Sequence, residues 1–117
     1  MTEFNVGFDE AGIQIEHHMP VPEIGDETYI KRVDIPAGKV LANHTHTFTH
    51  KSILASGRII LTVGDAEPRT LEGPVVLTVR RGHQHMVEAV TDAVWFCIHS
   101  SIETDPDRID HTLVKGD

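Results

Sequence analysis

The chain is short of several things, and each shortage excludes something. It has one cysteine, Cys97, so an intramolecular disulfide cannot form and nothing calls for an oxidising compartment. Basic residues are few: ten Lys and Arg stand against eighteen Asp and Glu, a formal charge of −8. Phosphate binding needs a positive face, so the balance argues against nucleic acid as a partner. No apolar run approaches the roughly 20 residues that span a bilayer. The start, Met1-Thr2-Glu3-Phe4-Asn5, lacks the basic and then apolar order of a signal peptide. A cytoplasmic protein with no membrane contact is therefore expected. Repeats, low-complexity tracts and linkers are also missing, and 117 residues support one hydrophobic core. A single domain over 1–117 is the expected organisation.

Hydrophobic residues are only 39% of the chain, but they fall in short clusters and not in the dispersed pattern of a disordered chain. These clusters are rich in β-branched and aromatic residues and are separated by glycine, proline and acidic turns. Strands are predicted at 12–16, 28–35, 39–46, 51–56, 58–63, 68–71, 75–79, 86–90 and 93–100. So many short strands at close spacing indicate an all-β antiparallel sandwich or barrel. Residues 1–27 are expected to form a strand or arm. Near the other end, Thr104 or Asp105 is placed to cap a short helix with Pro106 in its first turn and Ile109 and Leu113 on one face, within a terminal segment 104–117.

What the chain has in abundance is histidine, nine in all. Four of them, His44, His46, His50 and His85, are spaced to meet at one metal ion. Residues i and i+2 share a face of a strand, so His44 and His46 point the same way. His50 opens the next strand after the short Thr47-Phe48-Thr49 connection. His85 comes from a distant strand after the Arg81-Gly82 turn. His83 has the same parity as His85 and is the alternative fourth ligand. His17 and His18 beside Met19-Pro20 are read as loop residues, and neither they nor His111 receive a function.

The spacing Gly38, five residues, His44-X-His46, three residues, His50, six residues, Gly57 resembles the first motif of the cupins, with His50 where that motif has glutamate. The segment Arg80-X-Gly82-X-X-His85-X-X-X-Ala89 is similar to the second cupin motif, with Arg80 replacing proline and Ala89 replacing asparagine. Six residues separate Gly73 from Arg80 where the family has five, and the fifteen residues 58–72 lie between the motifs. The resemblance implies a double-stranded β-helix, a jelly-roll-like barrel, with motif one at 38–57 and motif two at 80–89. It favours His85 over His83. It also points to a subset of small single-domain cupins whose metal is held by four histidines, some of them manganese proteins.

An all-imidazole set leaves the charge of a divalent ion uncompensated and offers no carboxylate base beside it. Such a site suits manganese, iron, nickel, copper or zinc and disfavours magnesium and calcium. Around it, alternation puts Trp95, Cys97 and His99 on one face of the last long strand and Val94, Phe96 and Ile98 on the other. The apolar face makes the better core by composition, whereas the resemblance favours Trp95, Cys97 and His99 lining the pocket. Tyr29, Lys31, Val33 and Ile35 share a face, so an inward Lys31 would bring a cation near the site. Phe48 is a candidate for the pocket mouth.

Three functions compete on this reading. The first is an oxygen-dependent oxidoreductase of dioxygenase type acting on a small organic molecule. The second is a metal-containing module that only binds a small molecule. The third is an isomerase or lyase, which would need a base from His99, His83, Tyr29 or Glu88. A homodimer is expected in each case, with apolar surface supplied by Ile53, Ile59, Leu61 and Val63.

Overall fold

Alternation of inward apolar and outward polar residues decides the architecture in the computed structural model. The structure describes residues 4–8, 12–46, 49–105, 108 and 114–115. The strands among them are β1 (Phe4–Phe8), β2 (Gln14–His18), β3 (Thr28–Ile35), β4 (Val40–His46), β5 (His50–Ser56), β6 (Arg58–Val63), β7 (Arg69–Glu72), β8 (Val75–Val79), β9 (Gln84–Ala89), β10 (Ala93–Ser100) and β11 (Val114–Lys115). One turn of 3-10 helix, Pro22–Ile24, interrupts the approach to β3. No helix among the described residues is long and apolar enough to cross a membrane.

Two antiparallel sheets face each other. The six-stranded sheet has the order β1-β2-β3-β10-β5-β8, and the five-stranded sheet the order β11-β4-β9-β6-β7. Hairpin neighbours such as β1-β2-β3 and β6-β7 alternate with strands distant in sequence, as when β10 inserts between β3 and β5. The core lies between the sheets. Val33, Ile35, Leu54 and Trp95 from the first meet Ile59, Leu61, Val87 and Ala89 from the second, and Ile13 closes one end. Each large aliphatic side chain fully withdrawn from water contributes about 1.5–3 kcal/mol, so this set supplies much of the force that holds the sheets together.

Gly57, at the close of the first histidine motif, turns the chain from one sheet into the other. It has φ +93, and a Cβ there would overlap the Asp92 carbonyl oxygen and lie 2.8 Å from Ala93 Cα. Only glycine combines that backbone conformation with that close an approach.

Several expectations need correcting. His17 and His18 lie in β2 and not in a loop, because the chain continues pairing with β3 as far as His18↔Ile30. The terminal segment ends in a strand: Val114 and Lys115 pair with His46 and Thr45 along the edge of β4. Within the segment predicted to be a short helix, Arg108 is helical and its N–H donates to the Asp105 carbonyl at 3.0 Å; Pro106, Ile109 and Leu113 lie outside the described residues. Of the four apolar residues expected on the surface, Ile59 is 0% and Leu61 7% exposed, and Val63 packs on the core. Their strand β6 shows that face to the opposite sheet. Ile53 alone points outward.

Candidate metal centre

The strand ends that carry the histidines come together through one irregularity. Leu41 pairs with Val87, whereas His44 pairs with His85, so the register slips by one residue between Leu41 and His44. Leu41 and Val87 both belong to the interior. The slip places one extra residue of β4 between these two pairs. A bulge of this kind re-aims residues, and here it sets His44 opposite His85. For His44 and His46 the structure describes the strand and not the side chains, and Phe48 lies outside the described residues.

His85 sits in β9, three residues beyond the positive-φ turn at Gly82. It is half-buried, and its Nδ1–H donates to the His83 carbonyl at 2.9 Å. That bond fixes the tautomer and leaves the Nε2 lone pair as the donor. Burial pushes the imidazole below its ordinary pKa, with the His83 contact opposing in part. A neutral ring with one nitrogen committed to a backbone carbonyl is what a metal ligand requires. His83, the alternative, is exposed and lies before the first residue of β9. Its carbonyl, and not its ring, serves His85.

His50 opens β5 and is 6% exposed. Its Nε2 shares a 3.3 Å hydrogen bond with Ser52 Oγ, on the same face of the strand and fully buried. Beside it stands His99 of β10, 4% exposed, with ring centroids 4.0 Å apart and planes 35° from parallel. Tyr29, completely buried, stacks on His99 at 6.0 Å, and its hydroxyl shares a 2.6 Å hydrogen bond with His17 Nδ1. Neither Tyr29 beyond its role as a candidate base nor His17 in any role was expected here. The signal for Tyr29 lay in the parity it shares with Val33 and Ile35.

Trp95, Cys97 and His99 do occupy the inward face of β10. Trp95 is 4% exposed, Cys97 packs on the core, and the indole N–H donates to Cys97 Sγ at 3.2 Å. Lys31 is the direct partner of Cys97 across β3 and β10 and is half-buried. Glu88 is exposed on β9, which removes it from the candidate bases. His50, Ser52 and His99 are the buried polar side chains among the described residues. An open groove lined by Arg32, Asp34, Pro36, Asp92 and Val94 lies at the opposite end of β3 and β10 from Tyr29 and His99.

Among the described residues no three His, Cys, Asp or Glu side chains form a ready group for a metal ion. The set expected from the sequence includes His44 and His46, whose side chains are outside that description. What can be tested is the chemistry of the donors, and it fits. His50 is buried, His85 is neutral and tautomer-fixed, and the β4 bulge brings His44 level with His85.

No family model matches the chain, and no curated protein matches it. Solved structures do. An RmlC-like cupin from Shewanella frigidimarina NCIMB 400 superposes with a TM-score of 0.71 at 16% identity, covering 93% of this chain and 89% of that one. KdgF from Halomonas sp. gives 0.68 at 18% identity, with 90% and 92% covered. An oxalate oxidase in complex with the substrate analogue glycolate gives 0.65 at 17% identity, covering 83% of this chain and 55% of that one. The two facing antiparallel sheets and these superpositions give the chain the fold of the small RmlC-like cupins, a double-stranded β-helix.

Proposed function

We propose that His44, His46, His50 and His85 hold one divalent transition-metal ion, and that the protein is an oxygen-dependent oxidoreductase of dioxygenase type acting on a small organic molecule. The observation that carries the reading is the slip in β4, which sets His44 opposite a His85 already locked as a neutral donor. When bound, iron, manganese or copper would supply Lewis acidity and a redox couple for dioxygen.

The remaining work falls to the chain. The His83 carbonyl orients His85 by holding its Nδ1 proton. The apolar interior of Val33, Leu41, Val87 and Trp95 keeps water from the inner faces of the sheets. Lys31, half-buried opposite Cys97, offers a cation to an anionic substrate. The oxalate oxidase among the fold neighbours acts on a small oxygenated acid, a substrate class that suits Lys31.

The test is oxygen uptake by metal-loaded protein across a panel of small diacids, diketones, phenols and thiols, set beside the His85→Ala variant. Uptake with one class that the variant loses supports the reading. Equal background across the panel replaces it with a module that binds metal and a small molecule without turnover.

The homodimer belongs to the same proposal. Its surface is the outer face of the six-stranded sheet, where Val76, Ile53 and Phe96 lie in register and Ile98 adjoins Ile30. Lys51 and the Arg32–Asp34 ion pair flank these residues, so a second copy related by a twofold axis meets charges of both signs. Light scattering should report a dimer that Phe96→Glu converts to a monomer; a monomeric parent protein refutes the assignment.

A further inference from the structure

We infer that Arg80 and Arg81 form a cationic rim at the candidate metal centre and recruit small carboxylate-bearing molecules to it. The inference rests on the metal-binding reading above and adds two residues to which that reading gives no part.

Topology fixes where the rim stands. Val79 is the strand partner of His50, and the chain then leaves β8 through Arg80, Arg81, Gly82 and His83 to enter β9 one residue before His85. Strand β8 belongs to the six-stranded sheet and β9 to the five-stranded one, so this turn bridges the sheets at the end of the barrel where His50 and His85 lie. Its backbone is held. The Arg81 N–H donates to Oγ1 of Thr49, the residue before His50, at 3.1 Å, Gly82 takes φ +81, and the His83 N–H donates to the Arg80 carbonyl at 3.4 Å. Both arginines are exposed. Arg80 also stands where the second cupin motif has proline, so its charge is a departure of this chain from that pattern.

Charge is the second part of the argument. Ten cations face eighteen carboxylates in the chain, and Arg32, Arg58 and Arg108 are each taken up by an acidic partner. Arg80 and Arg81 make no ion pair among the described residues. The β6–β7 turn reaches the same end, where the Gly64 N–H donates to the Gln84 carbonyl at 2.9 Å, yet its Asp65 and Glu67 pair with neither arginine. Two adjacent guanidinium groups that no carboxylate neutralises keep their field toward solvent, while the net charge of −8 opposes the approach of anions elsewhere.

A guanidinium presents paired N–H donors that match the two oxygens of a carboxylate. An anion gathered at the turn lies between the strands that carry His50 and His85, and an ion held by imidazoles alone keeps its charge uncompensated, so attraction continues inward from the rim. Lys31 lies further along that line: it pairs with Cys97, and Cys97 with Ser52, one inward position beyond His50 on β5. Small diacids are thereby favoured over neutral diketones and phenols.

The experiment has two arms, each comparing the parent protein with Arg80→Gln/Arg81→Gln and with Lys39→Gln/Arg58→Gln. The second pair removes the same charge at the opposite end of the five-stranded sheet. In the first arm, amide proton relaxation of the metal-free full-length protein is measured at low salt with two nitroxides of equal size, one bearing a carboxylate and the other an ammonium group. The carboxylate probe should relax the Gly82, His83 and Gln84 amides about 2-fold or more faster than the ammonium probe, a preference lost in Arg80→Gln/Arg81→Gln and kept in the control. In the second arm, malonate is titrated into Co(II)-loaded protein and followed by the visible absorption of the cobalt. Its affinity should fall about 10-fold in Arg80→Gln/Arg81→Gln and less than about 2-fold in the control at low salt, and the difference should vanish near 1 M salt, where the screening length is about 3 Å. An ammonium preference at the turn of the parent protein overturns the inference. Equal malonate affinity in the two double variants also overturns it and leaves the metal reading standing. Failure of the parent protein to take up Co(II) removes the metal reading and, with it, the site that the rim serves.

Discussion

Replacing Gly57 by alanine tests the way the first motif is built into the barrel. At φ +93 an L-residue pays roughly 1–2 kcal/mol for the left-handed backbone alone. The added methyl also meets the Asp92 carbonyl oxygen and lies 2.8 Å from Ala93 Cα, both backbone atoms at the entry to β10. They cannot rotate away, so the strand must shift, at a cost typical of overpacking, about 1–3 kcal/mol. Against this, alanine stiffens the unfolded chain and recovers about 0.4–1 kcal/mol. The net loss is about 2–4 kcal/mol. For 117 residues the unfolding entropy is near 0.25 kcal/mol per degree, so Tm falls by about 8–16 °C. Gly38 is the control: its φ is +85 but a Cβ there meets nothing within 4 Å, so Gly38→Ala should cost only about 1 kcal/mol, or roughly 4 °C. Thermal unfolding followed by circular dichroism gives both values. Equal shifts for the two variants would refute the close-approach argument, since they differ only in what surrounds the methyl.

Leu54→Ala, at a fully buried position between the sheets, should cost about 2–5 kcal/mol by urea unfolding, and a loss under 1 kcal/mol would place the core elsewhere. The pH dependence follows from His85, whose folded pKa is depressed by burial. The unfolded ring takes up a proton first as pH falls below its ordinary 6.5, so the contribution is complete above that value and is lost as pH drops through the lower folded value. Chelator-treated protein should therefore lose stability between pH 6.5 and that lower value, and His85→Gln should flatten this part of the curve; identical curves would remove burial of His85 as the cause. Finally, Glu72→Gln breaks the exposed 3.3 Å pair with Arg58 and should change stability by less than about 0.5 kcal/mol in a denaturant titration, with a larger loss showing that the pair is not merely solvated.

The sequence makes the strands from 28 to 100 legible because hydrophobic alternation and glycine turns both mark them. Thr28–Ile35, Arg58–Val63, Val75–Val79 and Ala93–Ser100 fall at the residues expected. The edge strands are less visible. Phe4–Phe8 and Val114–Lys115 are defined by the partner they pair with, and a two-residue strand has no period to read. The bulge in β4 is similarly hidden: no local pattern marks an extra residue between Leu41 and His44, and only the pairing with β9 reveals the slip. Parity alone gave two faces for β10, and composition favoured the apolar one. The structure turns that face outward, with Phe96 under the Arg32 guanidinium, because the opposite sheet already fills the interior with aliphatic residues. The approach of His50 to His99 is a product of strand order, which places β10 next to β5; no local pattern carries it.

One ion bound through the motif histidines, with His50 in the place the cupin motif gives to glutamate, is what the proposed function stands on. Its most direct measurement is the metal content of the purified protein and of His50→Ala after both are stripped and reloaded with manganese, iron, copper or zinc, followed by desalting and elemental analysis. One ion per chain is expected in the parent protein, and a content reduced about 10-fold or more in a folded His50→Ala variant. Equal content in the two proteins, or a parent protein that retains no ion at all, would contradict it.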